Sequence, residues 1–205
     1  MDSLSHQKWH DLLSVWTVDP TLADVMFEDV SKRYAGSGRF YHTLDHIGAV
    51  LETVESLGSF AQNPNAVTLA AWLHDVIYDS RTSDNEERSA EYAERWCRKL
   101  SIPQGHLVAL LILKTKTHDA GDDVDAQVLI DADLAILGAS KPAYRAYSEN
   151  IRQEYAWVPE GNYRMGRQQV LEGFLSKPGI YRLLGHIEEP ARRNMAAEIA
   201  RLADG

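Results

Sequence analysis

The stretch Leu69 to Leu73, LAAWL, is apolar on every side of a helix. A helix with no polar face has no side to turn to water, so other elements must enclose it. A chain that carries such a helix must therefore supply several partners to cover it.

The rest of the sequence supplies them at helical spacing. Trp9, Leu12, Leu13 and Trp16 share a face. Asp19-Pro20 pairs a capping residue with a proline suited to the first helical position, and opens a second helix through Leu22, Val25, Met26 and Val30. Gly36-Ser37-Gly38 breaks it. A third helix starts near Thr43 and runs through Ile47, Val50, Leu51, Val54 and Leu57. Asn63-Pro64 opens the fourth, which contains the apolar stretch. A fifth begins near Asp84, with Glu86 and Glu87 in the turn where the helix dipole favours acids. Pro103 starts a sixth, through Leu107, Leu110, Leu111 and Leu113. The acidic loop Asp119 to Asp123 precedes a seventh, which carries Val128 to Ile130, Leu134 and Ile136 and stops at Gly138. Pro142 opens an eighth with Tyr144, Tyr147 and Ile151. A ninth holds Met165, Val170, Leu171 and Phe174, and the tenth runs from Pro190 through Met195 and Ile199. No alternating strand pattern and no glycine-rich phosphate loop stands out. The expected fold is one all-α bundle of about ten helices over residues 1–205.

Composition narrows the function. A net charge of -9 argues against binding nucleic acid or an anionic membrane. No run approaches the roughly 18 apolar residues of a membrane span. The first residues, MDSLSHQKWHDLL, are too polar for a signal peptide. The single cysteine, Cys97, makes no intrachain disulfide and no cysteine cage for zinc, and its apolar neighbours Ala93 and Leu100 mark it as a buried thiol. The expected location is the reducing cytoplasm.

Against this background some polar residues stand out. His74 and Asp75 interrupt the apolar run at the end of the fourth helix. A buried carboxylate needs a partner or a metal, since leaving it alone costs several kcal/mol. The same holds for Asp131 and Asp133 in LIDADLAIL. Asp133 lies one helical turn from both Ile130 and Leu137, which places it on the core face. His42 and His46 in YHTLDHIGAV form a third group. Singly, each has a plainer reading as a cap or surface feature. Together, imidazoles and carboxylates suit manganese, iron, cobalt, nickel or zinc. Two histidines and two carboxylates from three helices would leave positions open for water, as a catalytic site does.

The ordered H…HD…D set on an all-α chain resembles the HD superfamily of metal-dependent phosphohydrolases. The resemblance covers roughly residues 41–137, with the helices of 140–205 completing the pocket. YHTLDHI, LHDVIYD and DNEERSA are similar to segments of small bacterial proteins in that superfamily. The resemblance implies one divalent metal ion, held by His46, His74, Asp75 and Asp133. Asp133 is preferred to Asp131 because Ala132-Asp133-Leu134 fits the family pattern better. YHTLDHIGAV is also similar to the YHNxxHAxxV segment of cyclic-nucleotide phosphodiesterases. That match makes His46 a ligand and His42 the general acid. LHDVIYD resembles the HDxxED motif of alarmone hydrolases. Asp79 matches its last residue and would orient the attacking water. Tyr78 stands where that motif has Glu.

The resemblance further points to His118 as a substrate contact or second-metal ligand. Lys114, Arg145 and Arg152 are candidate cations for a phosphorylated substrate. Arg152 also has a plainer reading as a surface ion pair with Glu149. The expected activity is hydrolysis of a phosphate ester or anhydride of a nucleotide or related metabolite. Homodimers are common in the superfamily and one is possible here. Two other readings stay open: a non-catalytic nucleotide sensor, and an HD-type di-iron oxygenase, which needs more histidine ligands than the chain offers.

Overall fold

In the computed structural model, residues 3–204 are described, and they hold ten α-helices and no strand. The helices are α1 (Ser3–Ser14), α2 (Pro20–Tyr34), α3 (Leu44–Leu57), α4 (Pro64–Leu73), α5 (Asn85–Lys99), α6 (Gly105–Thr115), α7 (Val124–Leu134), α8 (Lys141–Glu154), α9 (Glu160–Ser176) and α10 (Glu188–Asp204). No helix among them is long and apolar enough to cross a membrane.

Helix starts follow local chemistry. Asp19 accepts the N–H groups of Thr21 and Leu22 ahead of Pro20. Asp123 caps α7 through Asp125 and Ala126. Side-chain caps of this kind satisfy amides that have no partner within the helix. Two boundaries differ from the sequence reading. Helix α6 begins at Gly105 rather than Pro103. A Cβ on Gly105 would fall 2.6 Å from the Cβ of Cys97, so glycine allows α5 and α6 to approach closely. Helix α7 ends at Leu134 and tightens into a 3₁₀ turn over Ala135–Gly138. There Gly138 admits Ile187, whose Cβ would lie 2.7 Å from an added Cβ.

Helix α4 is the centre of the molecule. Leu69, Ala70, Ala71, Trp72 and Leu73 are all buried. Helices α3, α6 and α7 pack around it, with α5 and α1 against its remaining sides. Trp9 meets the Trp72 ring edge-on at 5.3 Å, and Phe27 does so at 6.2 Å. Cys97 lies in the same core, where burial pushes its thiol up to about 12. Not every apolar residue of the periodic pattern is inside. Val25, Leu110, Leu113, Met165 and Val170 are exposed.

On α9 the inward face is Tyr163, Arg167 and Leu171 instead of Met165 and Val170. The reason is polar. Arg167 donates to both carboxylate oxygens of Glu198 on α10, at 2.8 and 3.3 Å, and Tyr144 on α8 donates to Glu198 at 2.6 Å. This buried pair ties α8, α9 and α10 together. Removing one member leaves the other charged and without its partner, which costs more than the intact pair contributes. Glu198→Ala is expected to lower the unfolding free energy by about 3–5 kcal/mol, read as a lower denaturant midpoint.

Candidate metal centre

The site begins with how α4 ends. Its last carbonyls lie in the core and need donors other than water. Tyr34 donates to the Trp72 carbonyl at 2.9 Å. The Nδ1 of His74 lies 2.9 Å from the Ala71 carbonyl and donates to it. Arg39 donates to the carbonyls of Asp75 and Val76, and also to that of His42. These bonds hold His74 and Asp75 in the turn beyond α4. With Nδ1–H committed to a carbonyl, Nε2 is the atom of His74 that faces the site.

Four donors converge there. The Nε2 of His46, on α3, is 3.3 Å from that of His74. His74 Nε2 is 3.1 Å from Asp75 Oδ2 and 3.5 Å from Oδ1 of Asp133, on α7. His46 Nε2 is 3.7 Å from Asp75 Oδ2 and 3.3 Å from Asp133 Oδ1. Neighbouring donors around one ion with bonds of about 2.1 Å are about 3.0–3.4 Å apart. His46, His74 and Asp75 lie close enough together to hold a metal ion, and Asp133 stands 3.3 and 3.5 Å from the two histidines.

Electrostatics agree with the geometry. Burial disfavours the charged form of His46, and although Asp133 opposes this, the ring is held below the usual histidine range. Neutral imidazole is the ligand form. Burial also acts against charge on His74, but Asp75 and Asp133 outweigh it and hold His74 well above that range. Burial would raise both carboxyls as well. His74 and His42 reverse this at Asp75, and hydrogen bonds from His118, His46 and His74 reverse it at Asp133, so both are lowered. A metal ion bound at His74 Nε2 would take the place of a proton there.

His42 lies outside α3, before the Thr43 N-cap. Its Nε2 is 3.9 Å from Asp75 Oδ2, at the edge of the cluster. Its Nδ1 is 2.6 Å from Oε2 of Glu154, the last residue of α8. The other Glu154 oxygen accepts the N–H groups of Phe40, Tyr41 and His42. Tyr78 donates to Oε2 at 2.8 Å and stacks on the His42 ring at 4.1 Å. Tyr78 and His42 thus share one carboxylate oxygen of Glu154.

The remaining sequence candidates separate. His118 joins the site, with Nε2 3.2 Å from Asp133 Oδ2. It has a left-handed backbone, φ 48°, which is uncommon outside glycine and is often found at functional positions. Asp131 stays apart from the cluster. It accepts the N–H groups of Arg182, Leu183 and Leu184 and so anchors the segment before α10. Asp79 does not meet the expected role of orienting a water at the cluster: it is exposed, and its carboxylate accepts the N–H of Arg81. Lys114 is exposed on α6. Arg145 pairs with Glu149 on the surface of α8, and Arg152 pairs with Glu160 while donating to the Tyr155 carbonyl. Both arginines are thus held in surface ion pairs, and neither is bonded to a residue of the cluster. Arg152 does form a surface ion pair, with Glu160 in place of Glu149.

Sequence reasoning missed Glu154 and Arg39. Glu154 had a signal: it falls three residues after Ile151 and seven after Tyr147, on the apolar stripe of α8. It is an acid on a core face, just as Asp133 is. Arg39 had no such signal, because its three acceptors are backbone carbonyls. A cavity of about 820 Å³ shares Tyr78, Glu154 and Arg39 with the site, but none of the four cluster donors lines it.

Comparison with models of protein families, with curated proteins and with solved structures finds no match for this chain.

Glu154 carries a pH signature. Burial alone would raise its carboxyl, but His42 and the three backbone N–H groups outweigh this and hold it at about 2, below the ordinary 4.5. The stability it contributes is therefore present in full above about pH 4.5 and is lost as pH falls through about 2. Glu154→Gln is expected to lose stability at neutral pH and to show a shallower decline across that window. Urea unfolding at a series of pH values checks this; a decline as steep as the wild type would contradict it.

Proposed function

We propose that the chain is a metal-dependent phosphohydrolase of the HD type, acting on a phosphate ester or anhydride of a small metabolite such as a nucleotide. The observation that carries this reading is the convergence of His46, His74, Asp75 and Asp133, at donor separations of 3.1–3.7 Å, beside a carboxylate-held imidazole. The order of these residues along the chain, H…HD…D, is the one that resembles the superfamily.

These four side chains would hold one ion of manganese, iron, cobalt, nickel or zinc. When bound, such an ion supplies Lewis-acid stabilisation of phosphoryl oxygens and a nucleophile at neutral pH. The chain's own residues account for the proton. Glu154 takes the Nδ1–H of His42, which fixes the ring and leaves Nε2 directed to the cluster edge. Burial works against the imidazolium, but Asp75 and Glu154 outweigh it and raise His42 above its usual range. Protonated His42 can give its Nε2 proton to a leaving oxygen. His118 contacts the outer oxygen of Asp133, which orients that carboxylate as outer histidines and acids do around metal ligands.

The test is to load purified protein with manganese, cobalt, nickel or zinc and assay it against a panel of nucleotides and phosphoesters. Turnover with at least one metal is expected. His74→Ala and Asp75→Ala should lose both metal and turnover. His42→Ala should keep the metal and lose roughly 10²–10⁴-fold in kcat. Metal-loaded protein that turns over nothing on the panel counts against the reading, as does loss of metal in His42→Ala.

A further inference from the structure

A second group of metal-ligating side chains lies away from this centre, at the junction of α1 and α2. His6 and His10 are one turn apart on α1, and Asp24 faces them from α2. Both Nε2 atoms lie 2.8 Å from the same oxygen, Asp24 Oδ1. The two imidazole rings converge, with centroids 4.5 Å apart. His6 also rests edge-on against Phe27 at 5.0 Å, which restricts its rotation.

The fold does not need this triad. Helix α1 is already joined to α2 by the Trp9 indole, which donates to the Ala23 carbonyl, and by the packing of Trp9 on Phe27. Nor does the proposed phosphohydrolase chemistry use it. Two histidines at i and i+4 on one helix present both Nε2 atoms to a single ion, as in zinc-binding helices. A carboxylate from a neighbouring element completes a set of three, the number of protein ligands in open zinc sites and in two-histidine, one-carboxylate sites. With bonds of about 2.1 Å, donors sit about 3.0–3.4 Å apart, so the observed 2.8 Å needs to open by only a few tenths of an ångström. All three side chains reach solvent, with exposures of 47, 23 and 51%, so water can fill the remaining positions.

We propose that His6, His10 and Asp24 form a surface site for a divalent transition metal such as Zn²⁺, Ni²⁺ or Co²⁺, which clamps α1 to α2. It is independent of the buried centre in both residues and location. The ion would bind the folded chain in preference to the unfolded one, where the histidine pair and Asp24 are not held together, and so would raise its stability.

The test uses the full chain without a polyhistidine tag, stripped with chelator and titrated with Zn²⁺ by calorimetry and with Co²⁺ by visible absorption. Wild-type protein is expected to bind one ion more than the His6→Ala/His10→Ala variant. It should also gain more in thermal midpoint when Zn²⁺ is added. Asp24→Asn should weaken that extra ion by roughly tenfold or more. The double variant should keep its ion at the buried centre and any hydrolytic activity, which separates a failure here from a failure of the phosphohydrolase reading. Equal stoichiometry and affinity in wild type and double variant would overturn the site. An extra ion unaffected by Asp24→Asn would overturn the clamp.

Discussion

The C-terminus of α4 lies inside the protein, and a helix that ends there cannot hand its last carbonyls to water. Tyr34, Arg39 and the His74 ring satisfy the carbonyls of this turn instead. That requirement shapes the whole neighbourhood of the site. It draws Arg39, and with it the segment before α3, against the turn. It sets the tautomer of His74. It leaves Asp75 beside α3 and α7, within reach of His46 and Asp133. The cluster of histidines and aspartates is thus built on the solution to a backbone hydrogen-bonding problem.

Buried acids do the same for the loops. Glu154 gathers the N–H groups of residues 40–42, Asp131 those of residues 182–184, and Asp125 those of Gln62 and Asn63. A carboxylate that accepts two or three amides offsets its own desolvation and immobilises a segment with no regular structure. Glu154 links this structural role to the candidate site, because the carboxylate that holds the 40–42 segment also orients His42. The helix that supplies it lies outside the part of the chain that carries the H…HD…D pattern.

Much of the architecture was legible in sequence. Capping residues and prolines marked the starts of α2, α4 and α8, and the all-apolar stretch at Leu69–Leu73 marked the buried helix. Charged residues on apolar stripes marked the cluster, because they violate the pattern that builds the core. The misreadings also have physical causes. Met165 and Val170 looked inward on α9 because a hydrophobic pattern does not foresee that Arg167 will be buried against Glu198. Arg145 and Arg152 were chosen by residue type, and charge alone does not say which partner lies nearest. Asp79 rested on a motif match, which does not say where the loop beyond α4 turns its carboxylate. Glu154 was missed although its place on the α8 stripe equals that of Asp133 on α7.

By itself, then, the sequence determined an all-α chain with one enclosed helix, and it marked His42, His46, His74, Asp75, Asp131 and Asp133 as polar groups out of place in an apolar pattern. Those outcomes come from periodicity and from the cost of burying charge, both local in the chain. Only the tertiary structure decided their roles. Asp131 and Asp133 are two residues apart, yet one anchors a loop and the other faces His46 and His74, since successive positions on a helix point to different neighbours. His42 and His46 are four apart, yet no helical turn relates them. Glu154, more than a hundred residues later, sets the position of His42.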